Sequence, residues 1–181
     1  MSTPREQLLS IIRDQAIVHG EVTLSSGAQA DYYVDLRRVT LDGVGAPLVG
    51  TVMNDLVADL NIDAVGGLTM GADPVATAMM HAAAAGGRHL DAFVVRKAGK
   101  AHGMQQQIEG PAIAGRRVLV VEDTSTTGNS PLAAVAACRE AGAEVVAVAV
   151  IADRASGANT IIREHGLDYR AAYTLVDLGL A

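Results

Sequence analysis

The run from residue 118 to residue 121 constrains the fold most, because it consists of leucine and valine without polar interruption. Such a run suits a strand that is buried on both faces of a parallel sheet. It ends on two adjacent carboxylates, Glu122 and Asp123. Ligands of open parallel sheets bind beyond the carboxyl ends of the strands. We therefore expect a binding site directly after this strand.

Residues 124–130 form a polar segment whose chemistry suits a sugar phosphate. Its hydroxyls can donate hydrogen bonds to a phosphate, and Gly128 can adopt backbone angles closed to other residues. Ser130 and Pro131 predict a helix start, as N-cap and first helical residue, with free N–H groups that attract an anion. Glu122 and Asp123 would accept hydrogen bonds from ribose hydroxyls. The alternative is an ordinary buried strand followed by an acidic turn.

Residues 92–108 contain no acidic side chain, although the chain carries a net charge of −6. The stretch holds both lysines of the chain, Lys97 and Lys100, together with Arg96 and His102. Arg96 closes an apolar strand and is expected at the ligand-binding edge, and nearby glycines would let the segment act as a lid. We interpret the stretch as an anion site, with a solvated charged loop as the alternative.

Strands and helices are predicted to alternate along the whole chain. A capping box at Thr3 and Glu6 opens a first helix that ends at Gly20, and Asp42 begins a helix that reaches Leu60. Further helices are predicted at residues 74–85, 131–141 and 158–165. Strands are predicted at residues 21–24, 31–37, 62–66, 90–96, 117–122, 144–151 and 171–176. This order predicts a single α/β domain over residues 1–181, with a parallel twisted sheet flanked by helices.

Residues 118–128 resemble the phosphoribosyl diphosphate (PRPP) signature of type I phosphoribosyltransferases: four apolar residues, two acids, two variable residues, then T-T-G. Three other segments resemble the orotate phosphoribosyltransferase family. Residues 96–103 match its R-K-x-x-K-x-H-G loop, and residues 153–157 match its D-R-x-x-G turn. Residues 24–27 and 31–35 are similar to its L-x-S-G and tyrosine-rich stretches. The resemblance implies the type I fold, with a core at about 42–176 and a hood at about 1–40 that the C-terminus completes.

The resemblance implies transfer of ribosyl 5-phosphate from PRPP to orotate. Catalytic roles are expected for Lys100, Asp123 and His102. The residues expected to bind PRPP are Arg96, Lys97, Lys100, His102, Glu122, Asp123, Thr124, Ser125, Thr126, Thr127, Gly128, Asn129, Ser130, Thr69, Gly71 and Ala72. The residues expected to bind orotate are Arg154, Thr126, Tyr33, Val34 and Ser25. An arginine after a buried strand can hold the orotate carboxylate by two parallel hydrogen bonds. The alternative for Arg154 is a surface ion pair with Asp153 or Glu164.

Mg²⁺ is the cofactor that the resemblance implies. It would be held mainly by PRPP, with no direct protein ligand and with Asp123 as a contact through water. The family also suggests a homodimer in which the loop of one subunit covers the neighbour's site. The acidic balance argues against a nucleic-acid partner, and the absence of an export signal or a membrane-spanning apolar run indicates a cytoplasmic protein without membrane contact. Cys138, the single cysteine, is expected in the core.

Two positive charges of the family pattern are absent. Members often carry a lysine where Ser25 stands, and often a lysine in the diphosphate loop, which here reads L-T-M-G-A-D over residues 68–73. Val34 stands where some members stack an aromatic ring, so Tyr33 is the better platform for the base. Two other functions stay open: a phosphoribosyltransferase for another base, and a noncatalytic regulator that senses PRPP and binds RNA.

Overall fold

The computed structural model describes residues 2–23, 29–97 and 107–181. Their strands form two sheets, one of two strands and one of six. The strands are β1 (Ile17–Thr23), β2 (Gln29–Val34), β3 (Ala64–Leu68), β4 (Asp91–Val95), β5 (Ile108–Glu109), β6 (Arg117–Ser125), β7 (Glu144–Asp153) and β8 (Asp168–Thr174). The helices are α1 (Pro4–Ile11), α2 (Arg37–Thr40), α3 (Gly45–Leu56), α4 (Ala72–Ala85), α5 (Asn129–Glu140), α6 (Ala158–Glu164) and α7 (Leu175–Leu178).

The six-stranded sheet has the order β5-β4-β3-β6-β7-β8 and is parallel except for β5, which pairs antiparallel with β4. The prediction of a parallel sheet flanked by helices is therefore confirmed. The order reverses between β3 and β6, so the loops after these two strands meet at one edge of the sheet. That edge carries residues 68–73 and residues 122–130.

The prediction that residues 118–121 are buried on both faces is also confirmed, because all four are fully buried. Leu119 and Val121 pack on the face covered by α1, α3 and α4, whereas Val118 and Val120 pack on the face covered by α5 and α6. Cys138 lies in the second of these cores, as expected, and burial raises the pKa of its thiol to about 12.

The N-terminal part contains α1 and the two-stranded β1–β2 sheet. Thr3 and Glu6 form the predicted capping box. The helical segment ends at Ala16 through a π-helical turn, not at Gly20, because Ile17 already pairs with Val34 in the antiparallel ladder. The hydroxyl of Tyr173 on β8 donates to the carbonyl of Arg5 at 2.7 Å, which fastens α1 to the C-terminal strand.

Several predicted boundaries were wrong. The helix expected from Asp42 to Leu60 is shorter and runs only from Gly45 to Leu56. It starts late because the Asp42 carboxylate accepts the N–H groups of Val44 and Gly45 in a turn before α3. The last strand ends at Thr174, whose hydroxyl caps the short α7, and β5 was not predicted. No helix in the described ranges is long and apolar enough to cross a membrane.

Candidate active site

The loop after β6 leads directly into α5. The helix begins at Asn129, two residues before the predicted start, and Gly128 is its N-cap with φ 81°. Ser130 therefore lies inside the first turn and is not the N-cap. The early start leaves the N–H groups of Asn129 and Ser130 without intrahelical partners, and both residues are exposed at the cleft. This arrangement can bind a phosphate.

Glu122 and Asp123 form a largely buried pair of carboxylates at the end of β6. Burial, and then the adjacent Asp123 carboxylate, raise the pKa of Glu122 to about 8. Burial also raises the pKa of Asp123, although a hydrogen bond from the Thr124 N–H to its Oδ1 (2.6 Å) favours the charged form. The Asp123 side chain also interacts with the Glu122 carboxyl, and its Oδ2 accepts no N–H group or hydroxyl of the described residues, so it can accept a bond from a ligand hydroxyl.

The loop after β3 lies beside these carboxylates. Gly71 is in contact with both, since a Cβ built on it would overlap the Glu122 carboxylate and lie 3.0 Å from Asp123 Oδ1. Asp73 does not cap α4, because its Oδ2 accepts the Thr69 hydroxyl at 2.6 Å. The N–H of Thr69 donates to Val95, so both donors of Thr69 are already used within the protein. The peptide bond between Thr69 and Met70 is cis.

The hood contributes the opposite wall of the cleft through the end of β2 and the start of α2. Tyr33 and Val34 line this wall, as predicted for the base site, and Val34 is 3% exposed. Asp35 and Arg37 also line it, and neither was predicted from the sequence as a site residue. Arg37 Nε donates to Asp35 Oδ1 at 2.9 Å, which raises the pKa of the guanidinium. The sequence signal was the pair of opposite charges, Asp35 and Arg37, at the end of the tyrosine-rich stretch.

Arg154 lines the cleft from the turn after β7. Its N–H donates to the carbonyl of Ser125 at 3.0 Å, so the turn is attached to the end of β6. The alternative of an ion pair with Asp153 or Glu164 is not found among the described residues. Oδ1 of Asp153 instead accepts the Ala155 N–H at 2.9 Å. The Arg154 guanidinium is therefore available to an anionic ligand.

The residues of the predicted anion site are only partly described. Lys97 is exposed and lines the cleft. Arg96 does not line it, because its guanidinium pairs with Glu109 on β5 at 3.4 Å. Ala72 is buried at the start of α4 and also does not line the cleft. Lys100 and His102, like Ser25 of the base site, lie outside the described residues.

The cleft formed by these loops has a volume of about 560 Å³, which is ample for a nucleotide-sized ligand. Its lining includes the whole predicted loop of Thr124, Ser125, Thr126, Thr127, Gly128, Asn129 and Ser130. The charged residues that line it among the described ones are Asp35, Glu122, Asp123, Arg37, Lys97 and Arg154. Ser125 is nearly inaccessible at 2% exposure, and its hydroxyl has no described partner.

A second, more apolar cavity of about 880 Å³ adjoins the cleft between α3 and α4. We call it the α3–α4 groove, and Leu41, Pro47, Ala78 and Ala82 are among its lining residues. Arg37 and Met70 line both the groove and the cleft. Within the described ranges no group of three or more histidine, cysteine or acidic residues could hold a metal ion.

The fold and the cleft together define a phosphate-binding α/β transferase. A family model for the phosphoribosyl transferase domain matches residues 45–163, which include β3, β6 and the loop that follows each of them.

The orotate phosphoribosyltransferase of Streptomyces avermitilis is 70% identical over 181 residues, covering 99% of this chain and 100% of that protein. A crystal structure of the Mycobacterium tuberculosis orotate phosphoribosyltransferase with Fe(III) dicitrate is 58% identical, with a TM-score of 0.90 over 98% of this chain and 100% of that one. Its complex with PRPP gives a TM-score of 0.87 at 52% identity, again over 98% and 100% of the chains. The chain belongs to the orotate phosphoribosyltransferase family, as its sequence resemblance indicated.

Proposed function

We propose that this protein transfers ribosyl 5-phosphate from PRPP to a ring nitrogen of orotate. The products are orotidine 5′-monophosphate and diphosphate, and the pathway is de novo pyrimidine synthesis. One observation carries the choice of orotate. The Arg154 guanidinium faces the same cleft as the carboxylate pair and the phosphate-binding turn, without a described carboxylate partner. A guanidinium in this state suits a base that bears a carboxylate, which uracil, adenine and hypoxanthine lack.

The cleft supports one orientation of PRPP. The 5-phosphate would bind at the N-terminus of α5, where the exposed hydroxyls of Thr126 and Thr127 and two free N–H groups converge. The ribose hydroxyls would donate to Asp123 and Glu122. The base would then lie between Tyr33 and Arg154, with Val34 beneath it. Each of these residues lines the cleft.

Catalysis would rest on electrostatics and positioning. Departure of diphosphate leaves positive character on the sugar ring, so the enzyme must stabilise the anionic leaving group and hold the base nitrogen in line. Lys97, Lys100 and His102 are assigned to the leaving group. Arg96 pairs with Glu109 and would reach the leaving group only by exchanging that partner.

The donor set of the cleft fits Mg²⁺ held by the substrate. Carboxylate oxygens are its preferred protein ligands, and the Asp123 carboxylate, which lines the cleft, could contact a magnesium-bound water. When bound, Mg²⁺ would neutralise charge on the diphosphate.

We also propose a homodimer in which the 96–104 loop of one subunit covers the cleft of the other. The α3–α4 groove supports this proposal, because it adjoins the cleft and displays large exposed apolar side chains. Leu41 is 71% exposed and Met70 is 62% exposed. Exposed apolar surface of this kind beside the cleft suits contact with a second copy of the chain.

Small-molecule substrates are the only partners besides the second subunit in this proposal. The net charge of −6 argues against the RNA-binding regulator, which needs a basic face. A cytoplasmic location belongs to the same proposal, because PRPP is a phosphorylated metabolite of that compartment.

A base-specificity assay tests the function. The protein is incubated with PRPP and Mg²⁺, and orotate, uracil, hypoxanthine, adenine and guanine are offered separately while diphosphate release is measured. Of the five mixtures, we expect diphosphate release only in the one that contains orotate. Release with another base and none with orotate would select the other phosphoribosyltransferase class. Binding of PRPP without release in any mixture would select the noncatalytic regulator.

A further inference from the structure

The loop expected to hold the diphosphate has few donors of its own. Residues 68–73 contain no lysine or arginine, and Asp73 adds a negative charge. The hydroxyl of Thr69 donates to Asp73 and its N–H donates to Val95, so Thr69 has no donor left for a ligand. Backbone N–H groups near Gly71 remain. A diphosphate carries several negative charges, so this end of the cleft needs a cation from elsewhere.

Arg37 lies at this end. Together with Met70 of the diphosphate loop it separates the cleft from the α3–α4 groove, since both residues line both cavities. Its positive charge acts on Asp123. Burial raises the pKa of Asp123, and the charge of Arg37 partly opposes that rise. Arg37 thus lines the same cleft as Asp123 and the 68–73 loop, and its charge acts on the carboxylate that we assign to the ribose.

Hydrogen bonds orient the Arg37 side chain, and part of its guanidinium remains available as a donor to a ligand. Its Nε donates to Asp35 at 2.9 Å, and one terminal nitrogen lies 3.5 Å from the Tyr33 hydroxyl, at the limit of a hydrogen bond. The other terminal nitrogen has no described partner. The side chain is 41% exposed, so a ligand in the cleft can reach it. A guanidinium oriented in this way can bind phosphate oxygens with little further loss of side-chain freedom.

We propose that Arg37 binds the diphosphate of PRPP and supplies the cation that the 68–73 loop lacks. This assignment rests on the proposed function, because it assumes the ribose orientation given above. It makes Arg37 a substrate-contacting residue that acts on the leaving group and not on the 5-phosphate or the base.

Three ligands separate this role from a structural one. Binding of inorganic diphosphate, PRPP and ribose 5-phosphate is measured by calorimetry with Mg²⁺ for the wild type and Arg37→Gln. We expect diphosphate and PRPP to bind about 10- to 100-fold more weakly to the variant, the effect of losing a charge-assisted hydrogen bond. Ribose 5-phosphate lacks the diphosphate and should bind within about twofold of the wild type.

Arg38→Gln is the matched control. Arg38 follows Arg37 in α2 and also approaches Asp35, at 3.9 Å, but it is 57% exposed and does not line the cleft. The same change of charge there should leave all three affinities near the wild-type values. Arg37→Lys keeps the charge without the planar fork and should recover part of the diphosphate affinity. Arg37→Gln is compared only if it melts near the wild type. If it melts far below, weaker binding of diphosphate but not of ribose 5-phosphate by Arg37→Lys supports the role of Arg37 in its place.

The two proposals fail in different ways. Wild-type protein that forms no product from orotate and PRPP overturns the proposed function. Active wild-type protein whose Arg37→Gln variant binds diphosphate normally overturns the role of Arg37 alone. An equal loss for ribose 5-phosphate and diphosphate also overturns it, because Arg37 would then act through Asp123 or through the fold.

Discussion

Gly71 packs directly against the buried carboxylate of Glu122, so the loop of residues 68–73 and the end of β6 touch without an intervening side chain. A Cβ at residue 71 would overlap Glu122 Oε1 and lie 3.0 Å from Asp123 Oδ1. Gly71 has an ordinary helical φ of −66°, so space and not backbone conformation calls for glycine here. The contact fixes the distance between the loop and the carboxylates.

The first prediction concerns Gly71→Ala. The added methyl group should displace the Glu122 carboxylate, because the end of a side chain moves more readily than backbone. We expect PRPP binding to weaken by about tenfold or more while the melting temperature falls only slightly. Gly43→Ala is the control, since nothing lies within 4 Å of its built Cβ and its φ is not positive. Unchanged PRPP affinity in Gly71→Ala would show that the two carboxylates do not bind the ribose.

The second prediction concerns the pH dependence of stability. The pKa of Glu122 is raised from 4.5 to about 8 in the folded state, so the folded protein retains a proton that the unfolded chain loses. The free energy of unfolding should therefore fall as the pH rises from 4.5 to about 8. Glu122→Gln mimics the protonated form and should remove this part of the decline.

Thermal unfolding of both proteins across this range measures the effect. Near pH 4.5 the two melting temperatures should be similar. Above pH 8 the variant should melt at least about 2–4 °C higher, the shift that about 1 kcal/mol produces in a domain of this size. Parallel curves for the two proteins would mean that Glu122 is ionised in the folded state.

The third prediction concerns Arg154→Ala. Loss of the guanidinium should raise the KM for orotate by about 10- to 100-fold and leave PRPP binding nearly unchanged, because a charge-assisted pair is lost at the base alone. Arg163→Gln serves as control, since Arg163 donates to Asn159 on α6 and does not line the cleft. Equal damage to both substrates would place Arg154 elsewhere in the reaction.

The fourth prediction tests the shared loop. Lys100→Ala and Asp123→Ala should each be nearly inactive, because each removes a group from every site. If the loop acts across the dimer, a mixture of the two variants contains heterodimers with one site that has both an intact lysine and an intact carboxylate. Activity should reappear on mixing. Subunits that demonstrably exchange and yet stay inactive would place Lys100 within its own chain.

The elements nearest the site could be predicted from sequence because their signals are local. The apolar run before Glu122 has no polar side chain, which favours a strand buried on both faces. The T-T-G turn ends on Gly128, whose positive φ favours glycine. The carboxylate pair, the turn and Arg154 follow from the same logic, since each comes directly after a strand. All of them line one cleft.

Boundaries were less predictable where partners distant in sequence decide them. Ile17 leaves the helix because Val34 offers it a strand partner, and β5 exists because β4 has a free edge at residues 94 and 95. Neither partner is visible from local propensity. The ion pair between Arg96 and Glu109 also depends on a partner distant in sequence, because β5 brings the Glu109 carboxylate beside the end of β4.

By itself the sequence determined the α/β order, the family and the residues that follow each strand, because periodicity and motifs act over a few neighbouring positions. Only the tertiary structure decided that Arg37 shares a cleft with Asp123 and that both donors of Thr69 are already used. These relationships depend on how the hood packs against the sheet edge and on which hydrogen bonds the folded chain has already made. Such long-range pairings leave no periodic trace in the amino-acid order.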